Sequence, residues 1–334
     1  MPHSDGLAWG ALADISRFAA LLTMAELGVA DQLADGPLDT DELARRCGAH
    51  APSLRRVLRE LAGIGVVRRA GADGYDLTDA GAVLRSDVPG SIRTSIRMLG
   101  EESFWYAMGN LPDTVRNGSS AYVAKYGTLY EYLAANPDKG RMFHTYMTIR
   151  AIPFTEGLVK RYDFAGVDSM VDVAGGRGHV LAAVLHANLG MRGILFDLDE
   201  VADRARELLA AEGLADRCEV VVGDFFASVP AGADAYLLSS ILHNWDDDDA
   251  VRILRSVRRA MNPGSRVLVL EVAVPDDDAP HLGKDLDLRM LAIFNGGLER
   301  TREEYARLFQ EADLELAEVI ELGTGASLIE ARPA

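Results

Sequence analysis

The chain is poor in cysteine: its 334 residues include two, Cys47 and Cys218, whose spacing fits neither a metal site nor a redox pair. It has no run of about 18 or more uncharged apolar residues, which excludes a membrane-spanning helix. The N-terminal MPHSDGLAWG carries no basic stretch followed by an apolar one, so no secretory signal is expected. Positive charge is also scarce. A net charge of −17 argues against a nucleic acid or a membrane surface as partner. No low-complexity tract is present. Hydrophobic residues make up 49% of the chain, enough for two domains with proper cores in a reduced, cytoplasmic setting.

The most informative stretch is VDVAGGRGHV, residues 171–180. An apolar run reaches an acid, Asp172, then a glycine-rich turn holding Gly175, Gly176 and Gly178, then a helical pattern. Such a turn lets backbone approach a nucleoside cofactor with no Cβ in the way. Leu181 stands where a dinucleotide fingerprint would place its third glycine, and no G-K-[ST] follows. A cofactor with a nucleoside and no phosphate fits this pattern, S-adenosylmethionine (SAM) being the commonest. A plain strand-to-helix turn without ligand is the alternative.

From residue 168 onward, apolar runs at 170–174, 193–197, 219–223, 235–240 and 266–272 alternate with helical patterns at 179–189, 200–213 and 248–261. This predicts a parallel sheet covered on both faces, with the closing runs LELAEVIEL and ASLIEA as a hairpin at its edge. Ligands of such sheets bind beyond the C-terminal strand ends. Acids fall there in succession: Asp172, Asp197 and Asp224. They suit ribose hydroxyls and an adenine amino group, with Phe225 packing on the purine. His243, in SSILHNWDDDDA, leaves the sheet beside that site. Glu271 and Glu299 are its candidate carboxylate partners, and a neutral histidine so held can take a proton from a hydroxyl. The four aspartates 246–249 suit the start of a helix. A divalent metal is not expected, because no adjacent acid cluster completes an oxygen-ligand site.

Residues 1–100 carry 11 Arg and 13 Asp plus Glu, a net −2, which leaves −15 for the remainder. The split suggests two domains. In the first, DTDELARRCGA reads as a helix with Leu38, Leu43 and Ala44 on one face and Thr40 as its cap. SLRRVLRELAGIGVV reads as a second helix, and VVRRAGADGYDLTDAG as a hairpin around Asp73-Gly74. Together they form a winged helix, read either as a DNA-binding unit with Arg55, Arg56 and Arg59 or as a dimerisation domain; the acidity favours the latter. Residues 101–165 read as a helical linker rich in aromatics and methionine, including Trp105, Phe143, Met147 and Phe154. Such residues are core or line a substrate cleft at a domain junction.

Taken together, these segments resemble the SAM-dependent O-methyltransferases of the plant caffeate and flavonoid type, and especially their bacterial relatives in aromatic polyketide and phenazine pathways. DVAGGRG parallels the family's DVGGGxG, GDFF its GDMF, LHNWDDD its LHDWSDE and NGGLERT its NPGGKERT, and the likeness covers nearly the whole chain. The resemblance implies an α/β fold, a Rossmann-like SAM methyltransferase domain at 166–334 behind a winged-helix dimerisation domain at 1–100, and an intertwined homodimer. It implies that Gly175, Gly176 and Gly178 cradle SAM, that Asp197 binds the ribose, and that Asp224 and Phe225 bind the adenine. Asp172, Ser239 and Trp245 complete the cofactor set. His243 is the implied general base, oriented by Glu271 and Glu299. Phe143 and Met147 match a substrate-gripping pair and Asn295 a pocket asparagine, with Trp105, Met290 and Phe294 as further lining. Three positions depart from the family. Ala174 replaces the first loop glycine and is expected to be tolerated at a strand end. Asn244 replaces an acid. Arg150 replaces a histidine, and faces either an acidic substrate or solvent. Two other functions remain open: a SAM-binding relative that hydroxylates or decarboxylates an aromatic polyketide, and a winged-helix regulator that senses a small molecule.

Overall fold

The computed structural model describes residues 4–323 and 325–334, with side chains from residue 13 onward. The reading of MPHSDGLAWG therefore falls on residues that are outside that description or described in backbone alone. The chain divides into two compact units. One comprises residues up to Tyr106 with Leu133–Ile149, the other Ala107–Tyr132 with Arg150–Ala334. The segment 101–165 thus contributes to both.

In the first unit, the helices Thr40–Cys47 and Ala51–Gly63 are followed by a small antiparallel sheet of β1 (Leu38–Asp39), β2 (Val67–Ala70) and β3 (Gly74–Leu77), with β3 central. Leu43, Leu54, Leu58, Leu61, Val67 and Tyr75 bury their side chains together with Met24 and Val29. Leu38 belongs to β1, opposite Tyr75, and not to the helix. The helix cap is Asp39, whose carboxylate accepts from Asp41 N–H. Thr40 is buried, and its hydroxyl donates to the Asp73 carbonyl at 2.5 Å. The N-cap oxygen thus comes one residue earlier than the helical pattern suggests.

The second unit is built on a seven-stranded sheet. Its strands are β4 (Ser169–Val173), β5 (Arg192–Asp197), β6 (Cys218–Val222), β7 (Ala235–Ser239), β8 (Arg266–Glu271), β9 (Leu314–Glu321) and β10 (Ser327–Pro333). The spatial order is β6-β5-β4-β7-β8-β10-β9. The first five are parallel to one another, and β10 enters antiparallel between β8 and β9. Side chains of successive residues point to opposite faces, so each strand feeds two cores. Met170, Leu268 and Leu270 pack with Leu181, Leu185 and Leu209 of the helices His179–Ala187 and Asp199–Ala211. Val171, Val267 and Val269 pack with Leu254, Val257 and Phe309 of the helices Asp247–Ala260 and Arg302–Glu311. Burial on both faces explains why β4, β7 and β8 read as nearly continuous apolar runs. The chain reverses its direction of strand addition at β4, between β5 and β7, and that switch point opens a crevice at the C-terminal ends. Among the described residues, no helix is long and apolar enough to cross a membrane.

Candidate active site

The glycine turn joins β4 to the helix His179–Ala187. Asp172 is 1% exposed, and neither carboxylate oxygen has a hydrogen-bond partner. Burial, reinforced by the nearby charge of Asp197, pushes its pKa up to about 7. The turn lies directly over this group. A Cβ at Gly175 would collide with the Asp172 carboxyl, and one at Gly178 would sit 2.7 Å from Leu195 Cδ1. Asp197, at the end of β5, accepts from Gly176 N–H at 2.8 Å and from Leu198 N–H at 2.7 Å. Burial raises its pKa, and the two amide bonds oppose the rise.

Ala174 has φ 57°, in the left-handed region, and not the relaxed strand-end conformation expected of it. An L-residue there costs about 1–2 kcal/mol. Glycine would avoid that cost but lose about 0.5–1 kcal/mol of chain entropy. Ala174→Gly is therefore expected to stabilise the protein by about 0.5–1 kcal/mol, raising Tm by about 1–3 °C. Thermal denaturation showing a lower Tm would contradict the strain.

Asp224 follows β6, and its carboxylate accepts from Phe226 N–H at 2.8 Å. Phe225 stands edge-on to Trp245, ring centroids 6.0 Å apart at 88°, and Phe226 does so at 4.9 Å and 86°. Ser239 is the half-buried last residue of β7. Ser240 then turns the chain out of the sheet with φ 57°.

His243 lies in a single 3₁₀ turn, Leu242–Asn244, and is 2% exposed. Its Nδ1 is 2.8 Å from Glu299 Oε1 in a fully buried pair, while Glu299 Oε2 is unpartnered. Glu271 does not meet the imidazole, contrary to the sequence expectation. Its Oε1 accepts the backbone N–H groups of Ile241 and His243 at 2.8 and 3.2 Å, and its Oε2 accepts from the Tyr305 hydroxyl at 2.5 Å. As the last residue of β8, next to β7, Glu271 reaches the turn's main chain before its side chains. Burial, then the Glu271 charge, holds the Tyr305 hydroxyl well above the ordinary tyrosine pKa.

Three residues here were not singled out from the sequence. Asp287 accepts Glu299 N–H at 3.0 Å, and burial raises its pKa. Arg300 and Tyr305 are both fully buried. Arg300 adjoins Glu299 in GGLERT, where a charge pair beside a candidate site residue was a readable hint. Thr301 and Glu304 form a capping box, also readable, that starts the helix carrying Tyr305. Nothing in the sequence marks Tyr305 or Asp287.

Of the substrate candidates, Met290 is buried on the helix Leu282–Ile293, and Phe294 is half-buried at its end. Asn295 is exposed, its Oδ1 taking the Ser120 N–H at 2.8 Å. Arg150 is half-buried, its guanidinium carbon 5.9 Å from the Phe154 ring centroid. Trp105, Phe143 and Met147 belong to the first unit. There Trp105 stacks on Phe18 at 5.5 Å, and Phe143 is tilted against Tyr146 at 6.3 Å. Asp246, Asp247 and Asp249 serve the helix Asp247–Ala260. Asp246 caps it through Asp249 N–H, and Asp247 pairs with Arg300.

Residues 108–315 match the O-methyltransferase domain, and residues 10–87 match the O-methyltransferase dimerisation domain. The chain is 40% identical over 315 residues to a phenazine O-methyltransferase of Lysobacter antibioticus, covering 94% of this chain and 92% of that one. It is 38% identical over 304 residues to the aclacinomycin 10-hydroxylase of Streptomyces purpurascens, covering 89% and 81% respectively. The solved structure of an O-methyltransferase from neocarzinostatin biosynthesis, in complex with SAM and 2-hydroxy-5-methyl naphthoic acid, matches with a TM-score of 0.84. That match has 36% identity and covers 97% of this chain and 98% of that one. With a catalytic-domain match, a dimerisation-domain match and full-length relatives of this similarity, the chain belongs to the SAM-dependent O-methyltransferase family.

Proposed function

We propose that this chain methylates a hydroxyl of an aromatic small molecule, a polyketide or related secondary metabolite, with His243 as general base. The buried His243–Glu299 pair carries the reading. A neutral imidazole that donates Nδ1–H to Glu299 keeps the lone pair of Nε2 for a substrate proton. An aromatic hydroxyl has a pKa of about 10, so little of it is ionised at neutral pH. His243 removes the proton as the oxygen attacks, and Glu299 stabilises the imidazolium that forms. Bound SAM supplies a methyl carbon made electrophilic by its sulfonium.

The residues at the strand ends suit that cofactor. The unpartnered Asp172 carboxylate fits a ligand bearing positive charge, and the Gly175 backbone leaves no Cβ between them. In this reading Gly175, Gly176 and Gly178 hold the methionine portion, Asp197 the ribose, and Asp224, Phe225, Ser239 and Trp245 the adenine side. Met290, Phe294, Asn295 and Arg150 serve the acceptor. The dimerisation domain supports a homodimer, and the two free cysteines, Cys47 and Cys218, suit the cytoplasm.

Asp197→Ala is expected to weaken SAM binding by about 1.5–3 kcal/mol, the value of a hydrogen bond to a charged group. Calorimetry with SAM and its demethylated product measures it, and unchanged affinity would sink the ribose assignment. The reaction itself is tested with labelled SAM and a panel of phenolic polyketides and phenazines. The hydroxylase relative favours a second reading, in which SAM binding supports oxygen insertion. The mass of the product decides: a gain of one CH2 supports methylation, and a gain of one oxygen supports hydroxylation.

A further inference from the structure

The turn carrying His243 is too short to hold itself. A single 3₁₀ turn leaves most of its backbone groups without internal partners, and buried polar groups need partners. Inside the turn, Asn244 N–H donates to Ile241 O at 3.2 Å and Trp245 N–H to Leu242 O at 3.1 Å, and two buried ions add further bonds. Glu271 takes the N–H groups of Ile241 and His243. Arg300 donates to the carbonyls on either side of the histidine, Nη1 to Leu242 O at 3.0 Å and Nη2 to Trp245 O at 2.8 Å. Its Nε and Nη2 also donate to Asp247 Oδ1 at 3.0 and 2.9 Å. Between those two carbonyls, His243 O accepts Leu298 N–H at 2.9 Å.

Among the described residues, Arg300 is the largest fully buried side chain. Burying a guanidinium is costly, and its carboxylate partner, Asp247, has a side chain 67% exposed to water. Two carbonyls three residues apart match a planar fork, and a lysine ammonium cannot address both in the same way. We propose that Arg300 is a positioning residue for the reaction: it fixes the backbone on both sides of His243, so that the imidazole meets Glu299 and the acceptor in one place. This inference rests on His243 being the base.

The test is a double-mutant cycle of Arg300→Lys with His243→Ala, with kcat, KM, the pH profile of kcat and SAM affinity measured for each variant. Misplacing a catalytic group by about 1 Å costs on the order of 100-fold, so Arg300→Lys is expected to lower kcat by about 10- to 100-fold. SAM affinity should change by less than about twofold, and the pH profile should shift. On the His243→Ala background the same substitution should change kcat by less than about twofold, because no base is left to position. If Arg300→Lys does not fold, Asp247→Asn removes the ion partner from an exposed position, and a kcat loss of about threefold or more with the same non-additivity supports the proposal. Equal losses on both backgrounds would overturn the positioning role and leave the base intact. Unchanged kcat in the wild-type background would do the same. Near-normal turnover of His243→Ala alone would overturn the base and the proposal together.

Discussion

His243→Ala is expected to lower turnover by about 10²- to 10⁴-fold, the usual contribution of a positioned general base. SAM affinity should stay near wild type, because in this reading the imidazole holds no part of the cofactor. Glu299→Gln should cost less. It keeps an oxygen for Nδ1–H at the 2.8 Å contact but removes the charge that stabilises the imidazolium. Single-turnover rates with saturating SAM separate these variants. If His243→Ala turns over at nearly the normal rate, the acceptor is acidic enough to ionise unaided, and alignment alone drives the reaction.

Asp172 should make folding stability fall as pH rises, opposite to an ordinary salt-bridged aspartate. Its folded-state pKa is raised from 3.8 to about 7, by burial first and the Asp197 charge second. Below about pH 4 the carboxyl is protonated in both folded and unfolded chains and contributes nothing. Between about pH 4 and pH 7 the folded state keeps a proton that the unfolded chain has lost, so each step upward costs stability. Above pH 7 the full cost of about 4 kcal/mol is present, from a shift of about three units at 1.36 kcal/mol each. Asp172→Asn lacks the titration. Its stability relative to wild type should therefore rise by about that amount between pH 4 and pH 8. Denaturant unfolding of both proteins across that range checks it, and parallel curves would show that the carboxylate has a partner in solution. In the proposed site a cationic cofactor is such a partner, so SAM should bind more tightly at pH 8 than at pH 6.

Much of this architecture is legible in the sequence because period and punctuation carry it. The parallel strands read as apolar runs, β4, β7 and β8 being buried on both faces, and the acids at or near the strand ends mark the edge where ligands bind. The site is less legible because its geometry depends on main chain. Glu271 is a plausible partner for His243 by spacing, yet it meets that residue's amide and not its ring. Arg300 stands beside Glu299 in the sequence, but only its two carbonyl contacts show what it holds. Ala174 shows the same limit, since sequence places it beside a strand and only the backbone reveals a positive φ. Asp39, and not Thr40, caps its helix for a simpler reason: adjacent residues that can both cap leave the boundary uncertain by one.

The position of β10 leaves β9 at the edge of the sheet, joined to it only through β10. The outer side of β9 therefore offers unpaired backbone groups, and such edges recruit wrong partners unless charges protect them. Glu315, Glu318 and Glu321 are exposed along β9, so part of the acidic excess of this protein guards a free edge of its sheet.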